Sequence, residues 1–265
     1  MTRVLVTGGT GVLGRELTPR LQAAGHTVRI LSRRPRPANL PTGQEWAQGD
    51  IEIGAGLKEA LAGVETIVHA ATNPFTRTRQ VDVQGTSRLL ELARAASVNH
   101  FVHVSIVGIE RIPFPYYQHK VAGETSVMNG SMPWTILRAT QFHNLLDGFL
   151  QPLAKFPIGF AFTDFKFQPV DAGEVAEALV RCAGASPAGC LPDMGGPEVL
   201  KLGEMARVWL EARGKRTRVI NFPLPGGFAH ALRNGYNTCP ENRQGKVTWA
   251  EWVRRRYGNS SQEAK

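Results

Sequence analysis

The sequence predicts an α/β protein with a Rossmann-type, doubly wound parallel sheet and a small C-terminal substrate-binding part. Three observations predict this fold. An apolar run at residues 4–6 leads into a glycine-rich loop at 7–14 and then into helical periodicity at 15–24. Strand and helix patterns alternate as far as about residue 140. Finally, 265 residues are enough for one large domain with an appendage.

The loop after the first predicted strand reads Thr-Gly-Gly-Thr-Gly-Val-Leu-Gly. Gly8 permits a tight turn, Gly11 lets a pyrophosphate approach the backbone, and Gly14 lets the helix pack closely on the strand. The N–H groups of the helix's first turn then face an anion. An ordinary turn is the alternative, but the position between a strand and a helix favours dinucleotide binding. The predicted cofactor contacts here are Thr7, Gly8, Thr10, Gly11, Val12, Leu13 and Gly14.

Residues 26–31 form the second predicted strand, and Ser32, Arg33 and Arg34 follow it. In a dinucleotide-binding fold the adenosine ribose lies at this point. A carboxylate there accepts a hydrogen bond from the 2′-hydroxyl of NAD, whereas arginine accommodates the 2′-phosphate of NADP. Because no acid is present, these three residues are predicted to bind NADP(H). A solvated basic turn is the alternative.

Two further strand ends complete the predicted cofactor contacts. The third strand, 45–48, ends in a polar turn beside the expected adenine pocket, where Asp50 and Ile51 are assigned to the cofactor. The fourth strand runs into Ala70 and Ala71. Small residues are what the close passage of a cofactor demands, although a turn that needs small side chains is the alternative.

The remaining periodic segments define the domain organisation. After a Pro-rich loop, the predicted elements are a helix at 57–61, strands at 66–71, 101–105 and 134–137, helices at 81–96 and from about 116, and helices at 174–181, 202–211 and 249–256. We expect residues 1–140 to form the NAD(P)-binding core, with later segments returning to it. Residues 141–258 are expected to form the substrate-binding part, and the polar residues 259–265 a disordered tail.

Tyr116 and Lys120 stand four residues apart in a predicted helix and therefore share one face. Free tyrosine has a pKa of about 10, and a nearby ammonium favours the phenolate. We expect Lys120 to lower the pKa of Tyr116, which then passes a proton to a carbonyl oxygen. Ser105, at the end of the fifth strand, is placed to hydrogen-bond the same oxygen. A surface Tyr–Lys pair is the alternative, but the glycine loop and the serine make catalysis the better interpretation.

These motifs together resemble the short-chain dehydrogenase/reductase superfamily, and the chain looks most like its atypical, NmrA-like NAD(P)-binding branch. The resemblance is carried by Thr7-Gly8-x-x-Gly11-x-x-Gly14, Ser105 and Tyr116-x-x-x-Lys120, and by the segments 81–86, 137–143, 168–171 and 195–198. It implies that Lys120 also holds the nicotinamide ribose, that Asp50 lies by the adenine, and that Tyr116 donates a proton as hydride leaves the nicotinamide.

Two positions depart from the family's pattern. Asp82 stands where many relatives carry Asn, which brings any Asn-based proton relay into question, and Ala139 stands where many carry Pro. Some NmrA-like proteins also bind cofactor without turning over, so intact motifs are compatible with a regulatory role.

Aromatic residues in the second part are candidates for contacting substrate. Phe142 and His143 follow the sixth strand, close to the expected position of the nicotinamide, and are predicted to touch the substrate. Phe165, Phe167 and Phe228 can either line an apolar substrate pocket or belong to the core.

Composition and charge indicate whether nucleic acid, a membrane or a metal ion is an expected partner. The formal charge of +9 raises nucleic acid as a partner, but the arginines are mostly scattered and no nucleic-acid-binding motif is present, so none is expected. No stretch approaches the roughly 20 apolar residues of a membrane helix, and the first strand lies close to residue 1, so we expect neither a membrane span nor a leader. The cysteines at 182, 190 and 239 lack metal-type spacing, so no metal site is expected. We expect a cytoplasmic monomer or homodimer that acts on a small molecule.

Three functions follow from these observations. The first is an NADPH-dependent oxidoreductase that transfers hydride to or from a small apolar carbonyl or quinone-like substrate, with Tyr116 as acid and base. The second is a non-catalytic, NADP-sensing regulator. The third, a nucleotide-sugar epimerase or dehydratase, fits poorly, because such enzymes favour a retained NAD whose ribose requires the acid that is missing after Leu31.

Overall fold

A computed structural model describes residues 2–258 of the chain. Its strands are β1 (Arg3–Thr7), β2 (Thr27–Ser32), β3 (Gln44–Gln48), β4 (Thr66–His69), β5 (His100–Ile106), β6 (Trp134–Ala139), β7 (Ile158–Ala161), β8 (Lys166–Phe167), β9 (Gly189–Cys190), β10 (Leu200–Lys201) and β11 (Arg218–Asn221). Seven of them form a parallel sheet in the order β3-β2-β1-β4-β5-β6-β9. The predicted Rossmann-type fold is confirmed.

The helices are α1 (Val12–Ala23), α2 (Leu57–Leu61), α3 (Thr86–Ala95), α4 (Pro115–Met128), α5 (His143–Leu150), α6 (Ala172–Gly184), α7 (Leu202–Ala212), α8 (Gly227–Arg233) and α9 (Trp249–Tyr257). A π-helical turn, Arg79–Gly85, precedes α3, and 3₁₀ turns span Ile109–Arg111 and Gln151–Lys155. Among residues 2–258, no helix combines the length and the apolar character needed to cross a membrane.

The strand register brings the carboxyl ends of the central strands to one edge of the sheet. Thr7 at the end of β1 lies opposite Leu31 in β2 and His69 in β4. The strand order reverses at β1, which is the position where open α/β sheets bind their ligands. The glycine loop, the basic turn after β2 and the small residues after β4 therefore leave the sheet side by side.

Burial explains why β1 occupies the centre. Val4, Leu5 and Val6 have no exposed surface, as expected for a strand covered on both faces. Leu17 and Leu21, one turn apart on α1, are equally buried. The first strand–loop–helix unit is thus fixed by apolar packing before any ligand contributes.

Several elements differ from the predictions, and helices α5 and α8 were not predicted. The predicted helix at 81–96 begins instead with the π-helical turn, whose extra residue per turn the 3.6-residue periodicity does not reveal. The edge strand β9 was not predicted, because two residues carry no measurable alternation.

The described chain divides into two compact units. The first contains residues 2–105, Pro115–Arg138 and Ala172–Pro192, and the second contains Ile106–Phe114, Ala139–Asp171 and 193–258. The expected disordered tail, 259–265, lies outside the described residues.

The core of the second unit is built on buried aromatic rings. Trp209 Nε1 and Tyr257 Oη both donate to Asp147 Oδ1 at 2.6 Å. The ring of His143 stacks on Trp249 and Trp252, with centroid distances of 5.8 and 5.6 Å. His143 has no exposed surface, and neither of its ring nitrogens has a hydrogen-bond partner among the described residues.

We predict that the free energy of unfolding falls as the pH is lowered from 6.5 to 5. Burial lowers the pKa of His143 from 6.5 to about 3, so in this range protons bind to its unfolded form only. The resulting loss is about 1.4 kcal/mol per pH unit for each such histidine. His143→Phe retains the stacking but has no proton to bind, so its unfolding free energy, measured with urea, will depend less steeply on pH.

His230→Gln provides the matched control, because His230 is exposed. Its pH dependence is expected to follow that of the unmodified chain. Equal slopes for His143→Phe and the unmodified chain would contradict the assignment.

Candidate cofactor and active site

The glycine loop adopts a conformation that side chains at two positions would prevent. Gly8 has a φ of +71°, and a Cβ there would lie 2.8 Å from backbone atoms of Ala70 and Ala71. A Cβ on Gly14 would lie 2.3 Å from the Gly8 carbonyl oxygen. At Gly11 the nearest atom would be that same oxygen, at 3.2 Å, so the outer side of Gly11 is open. The loop therefore packs tightly at Gly8 and Gly14 and leaves space beside Gly11, where the pyrophosphate is predicted to lie.

The amino end of α1 is suited to a diphosphate. Its N-cap, Gly11, provides no side-chain hydrogen bond, and the first turn contains no acidic residue that would compete with an anion. The N–H groups of the first turn, Val12, Leu13 and Gly14, therefore face outward without a capping side chain. Leu13 is buried, so we expect it to contact a ligand through its main chain alone.

The basic turn after β2 leaves two arginines exposed. Arg33 and Arg34 form no ion pair within residues 2–258, and the backbone N–H of Arg34 donates to Ser32 Oγ at 3.2 Å. Their carbonyl oxygens accept hydrogen bonds from the side chains of Gln48 and Trp46, respectively. The backbone is thus anchored while both guanidinium groups remain available.

Asp50 and Ile51 occupy the turn after β3. Asp50 Oδ1 accepts a hydrogen bond from the N–H of Glu52 at 2.8 Å, which holds the turn in shape. Ile51 belongs to the apolar core of the sheet. That these two residues touch the adenine stays a prediction.

A hydrogen-bonded chain that the sequence did not reveal joins the ends of β1 and β4. Ala71 N–H donates to Thr7 Oγ1 at 3.2 Å, and Thr7 Oγ1 lies 2.7 Å from His69 Nδ1. Thr86 Oγ1 donates to the Asp82 carbonyl, so it accepts from His69 Nε2 at 3.0 Å. His69 therefore carries its proton on Nε2, and Thr7 donates to Nδ1.

Burial explains why His69 can act as a neutral connector. Burial, followed by the charge of Lys120, lowers the pKa of His69 to about 3. The ring therefore remains uncharged near neutral pH and holds one fixed tautomer. The only sequence signal was a histidine at the end of a strand, which does not specify these partners.

Tyr116 and Lys120 share the buried face of α4, as their spacing predicts, but they interact through two other residues. Thr72 Oγ1 lies 2.8 Å from Tyr116 Oη and 2.6 Å from Asp82 Oδ1. Asp82 Oδ1 lies 3.7 Å from Lys120 Nζ, which donates to the Val104 carbonyl at 3.0 Å. The four side chains form one connected path from phenol to ammonium.

The direction of these hydrogen bonds follows from the carboxylate. An ionised Asp82 only accepts, so Thr72 donates to Asp82 and accepts from Tyr116. Asp82 lies in the π-helical turn. This turn packs closely against α4, as a Cβ on Gly123 would lie only 2.6 Å from the carbonyl oxygen of Asp82. Thr72 was not predicted as a site residue, since a lone threonine after a strand carries no pattern.

The expected effect of Lys120 on the pKa of Tyr116 was wrong. Burial of Tyr116 raises its pKa well above 10, and the charge of Asp82 acts in the same direction, although the hydrogen bond with Thr72 opposes both. Lys120 does not lower this pKa, because its ammonium is directed to Asp82 and the Val104 carbonyl. Burial in turn lowers the pKa of Lys120, while Asp82 and Glu124 raise it. Tyr116 therefore carries its phenolic proton near neutral pH.

Ser105 is buried at the end of β5, and its Oγ has no hydrogen-bond partner among the described residues. An unpartnered buried hydroxyl costs free energy unless a ligand satisfies it. This placement agrees with the predicted role of holding a substrate oxygen, which stays a prediction.

The two predicted substrate contacts differ in accessibility. Phe142 is partly exposed, so its contact with substrate stays a prediction. His143 packs beside Trp249 and Trp252, whose own ring centroids are 5.7 Å apart, and it has no exposed surface, which leaves no atom for a substrate to reach. The apolar character of the ring, rather than its basicity, determines this position.

A family model for NAD(P)H-binding proteins matches residues 8–185. The match begins in the glycine loop and includes every residue of the Tyr116–Lys120 path. The chain belongs to the NAD(P)H-binding family. The predicted resemblance to an NAD(P)-binding family is thereby confirmed.

The chain is similar to two curated proteins with different descriptions. The chain is 29% identical over 186 residues to photosystem II assembly factor Ycf39 of Trieres chinensis, over 67% of this chain and 58% of that protein. It is 35% identical over 142 residues to (4-alkanoyl-5-oxo-2,5-dihydrofuran-3-yl)methyl phosphate reductase of Streptomyces griseus, over 52% of this chain and 48% of that protein. The matched region is thus about half the length of these curated relatives.

Among solved structures, the chain is similar to the NADPH-dependent quinone oxidoreductase QOR2 of Escherichia coli in complex with NADPH. The TM-score is 0.78, at 18% identity, and the match covers 96% of this chain and 99% of that one. At this identity the likeness supports the shared fold alone.

We predict that Gly14→Ala weakens NAD(P)H binding by at least about tenfold and destabilises the fold, because the new Cβ would overlap Gly8 and Gly9. Gly148→Ala is the matched control, since a Cβ there meets no atom within 4 Å. Binding is measured by nicotinamide fluorescence, and stability by thermal unfolding. Unchanged affinity in a folded Gly14→Ala protein would show that the loop does not hold the cofactor.

Proposed function

We propose that this chain is an NADP(H)-dependent oxidoreductase that transfers hydride to or from a small apolar carbonyl or quinone-like compound. The observation that carries the proposal is the connected path from Tyr116 through Thr72 and Asp82 to Lys120. This path contains a neutral proton donor at one end and a buried ammonium at the other. Membership of the NAD(P)H-binding family and the open glycine loop supply the cofactor half of the argument.

The preference for NADP(H) rests on the turn after β2. Arg33 and Arg34 are exposed and form no ion pair in the described part of the chain, so both can meet a 2′-phosphate. No carboxylate follows β2 to accept from a free ribose 2′-hydroxyl.

In this proposal, Ser105 and Tyr116 act on the substrate oxygen, and the other side chains of the path return a proton to Tyr116. When bound, the nicotinamide of NADPH supplies hydride. Ser105 Oγ and Tyr116 Oη hold the substrate oxygen, and Tyr116 transfers its phenolic proton to that oxygen. The phenolate regains a proton from Thr72, which is replenished from Lys120 through Asp82, since Asp82 Oδ1 contacts both.

The protonation state of Tyr116 suits the reduction step. A raised pKa keeps the phenol protonated at neutral pH, which is the form that donates to a developing alkoxide. Oxidation of an alcohol requires the phenolate, which burial and Asp82 oppose. The resting form of Tyr116 is therefore the one that reduction uses.

We predict that Tyr116→Phe lowers kcat for carbonyl or quinone reduction by about 10²- to 10⁴-fold, the usual range for loss of a general acid. NADPH affinity is expected to remain unchanged, because only the hydroxyl is lost. Loss of nicotinamide absorbance measures turnover against a panel of quinones, ketones and enones, and fluorescence measures binding.

Tyr117→Phe is the matched control, because Tyr117 is the adjacent residue and burial raises its pKa also, to about 12. Turnover in this variant is expected to equal that of the unmodified chain. Full activity in Tyr116→Phe, or equal losses in both variants, would rule out Tyr116 as the acid.

We predict that Arg33→Ala combined with Arg34→Ala weakens NADPH binding by at least about tenfold while leaving NADH binding within about twofold. Only NADPH has the phosphate that these guanidinium groups contact. Calorimetry with both nucleotides measures the ratio, and Arg36→Ala, an exposed arginine in the following loop, is the control. A parallel loss for both nucleotides would assign the arginines a structural role.

A non-catalytic, NADP-sensing regulator is the second candidate. It is favoured by the similarity to a relative described as an assembly factor. Tight NADPH binding without turnover of any compound in the panel, in a protein whose Tyr116→Phe variant behaves identically, would favour this function.

A further inference from the structure

A small parallel sheet in the second unit exposes an apolar face. β7 and β11 pair in register, with Arg218 opposite Ile158 and Ile220 opposite Phe160. Opposed residues of a parallel pair point to the same side, so these four side chains share one face. Ile158, Phe160 and Ile220 are all substantially exposed, with 64% of the Phe160 surface accessible. The other face is occupied, because a Cβ on Gly159 would meet Leu153 at 2.6 Å.

The carboxyl end of this face forms an apolar groove. A cavity of about 360 Å³ is lined by Phe160, Ala161, Phe162 and Phe222. The Phe222 ring meets Phe162 edge-on at 5.9 Å, and Phe162 stacks on the buried Phe165 at 5.0 Å. The groove therefore has a fixed aromatic floor that continues into the core.

The amino end of the same face is basic. Arg218 begins β11, and Lys215 and Arg216 precede it, while Lys155 precedes β7. Since the two strands are parallel, these four exposed cations lie at one end. None of them forms an ion pair with a residue in the range 2–258. The face is thus cationic at one end and aromatic at the other, about 13 Å apart from Arg218 to Phe222.

We infer that this face, which we call the β7–β11 groove, binds an anionic amphiphile, a medium-chain carboxylate held as a single molecule. The carboxylate lies at Arg218 and the chain lies along Ile158, Ile220 and Phe160 to end between Phe162 and Phe222. Charge complementarity selects the head group, and the length of the apolar face selects the tail. The cavity lined by Phe160, Ala161, Phe162 and Phe222 receives the end of one chain, which a flat bilayer surface would not fill. This binding is independent of the nicotinamide chemistry.

The test is calorimetric titration of the full chain with decanoate below its micellar concentration, in the presence of saturating NADPH. We expect one decanoate per chain. Phe160→Ala and Arg218→Glu are each expected to weaken decanoate binding about tenfold. Decanol, which lacks the charge, is expected to lose affinity in Phe160→Ala but not in Arg218→Glu.

Matched controls are Phe75→Ala, since Phe75 is 82% exposed elsewhere on the chain, and Arg94→Glu, an exposed arginine on α3. Both are expected to bind decanoate like the unmodified chain. The proposal is overturned if decanoate gives no saturable heat, or if the groove variants and controls titrate alike. It is also overturned if the chain sediments with anionic vesicles but ignores free decanoate, or if Phe160→Ala instead dissociates a dimer.

Discussion

A buried ammonium group is the constraint on which the candidate active site depends. Lys120 is almost fully buried, and its charge is balanced by Asp82, 3.7 Å away, and by the nearby Glu124. Glu124 is in turn held by Arg138, through contacts of 2.9 and 2.6 Å. Two cations and two carboxylates thus form one neutral cluster, as buried charges require. Removing the charge of Asp82 or Glu124 would leave the buried charges of the cluster out of balance.

This cluster also determines where the phenol lies. The ion pair with Lys120 fixes Asp82, Asp82 is hydrogen-bonded to Thr72, and Thr72 is hydrogen-bonded to Tyr116. The position of the phenol therefore depends on the ion pair between Asp82 and Lys120. Close backbone packing at Gly123 brings the π-helical turn and α4 near enough for these bonds. The phenol is therefore positioned by polar neighbours, and the proposed role of Tyr116 as an acid requires such precise placement.

Features that depend on residues close together in the sequence could be predicted. Contacts between side chains that are far apart in the sequence could not. The glycine loop and the Tyr116–Lys120 spacing could be identified because each depends on residues close in sequence, and the family match covers both. The pKa of Tyr116 was predicted in the wrong direction because four residues of helix specify a shared face but not what fills the space between the side chains. Thr72 lies 44 residues from Tyr116 in sequence, and no local rule links them. His143 failed as a substrate contact for the same reason, since the two tryptophans that pack against it lie about a hundred positions later.

Asp82 stands at the position where the family resemblance leads us to expect Asn. Its carboxylate fixes the direction of the hydrogen bonds along the path, which an amide would not do. An amide can donate or accept, so it would leave the orientation of the Thr72 hydroxyl open. The carboxylate accepts from Thr72, and Thr72 in turn must accept from Tyr116, so the phenolic proton points along the path. A substrate oxygen must compete with Thr72 for this proton, and the unpartnered Ser105 hydroxyl can help it do so. The same carboxylate that holds the phenol in its protonated form therefore calls for a second hydrogen-bond donor at the substrate, which is the role that we propose for Ser105.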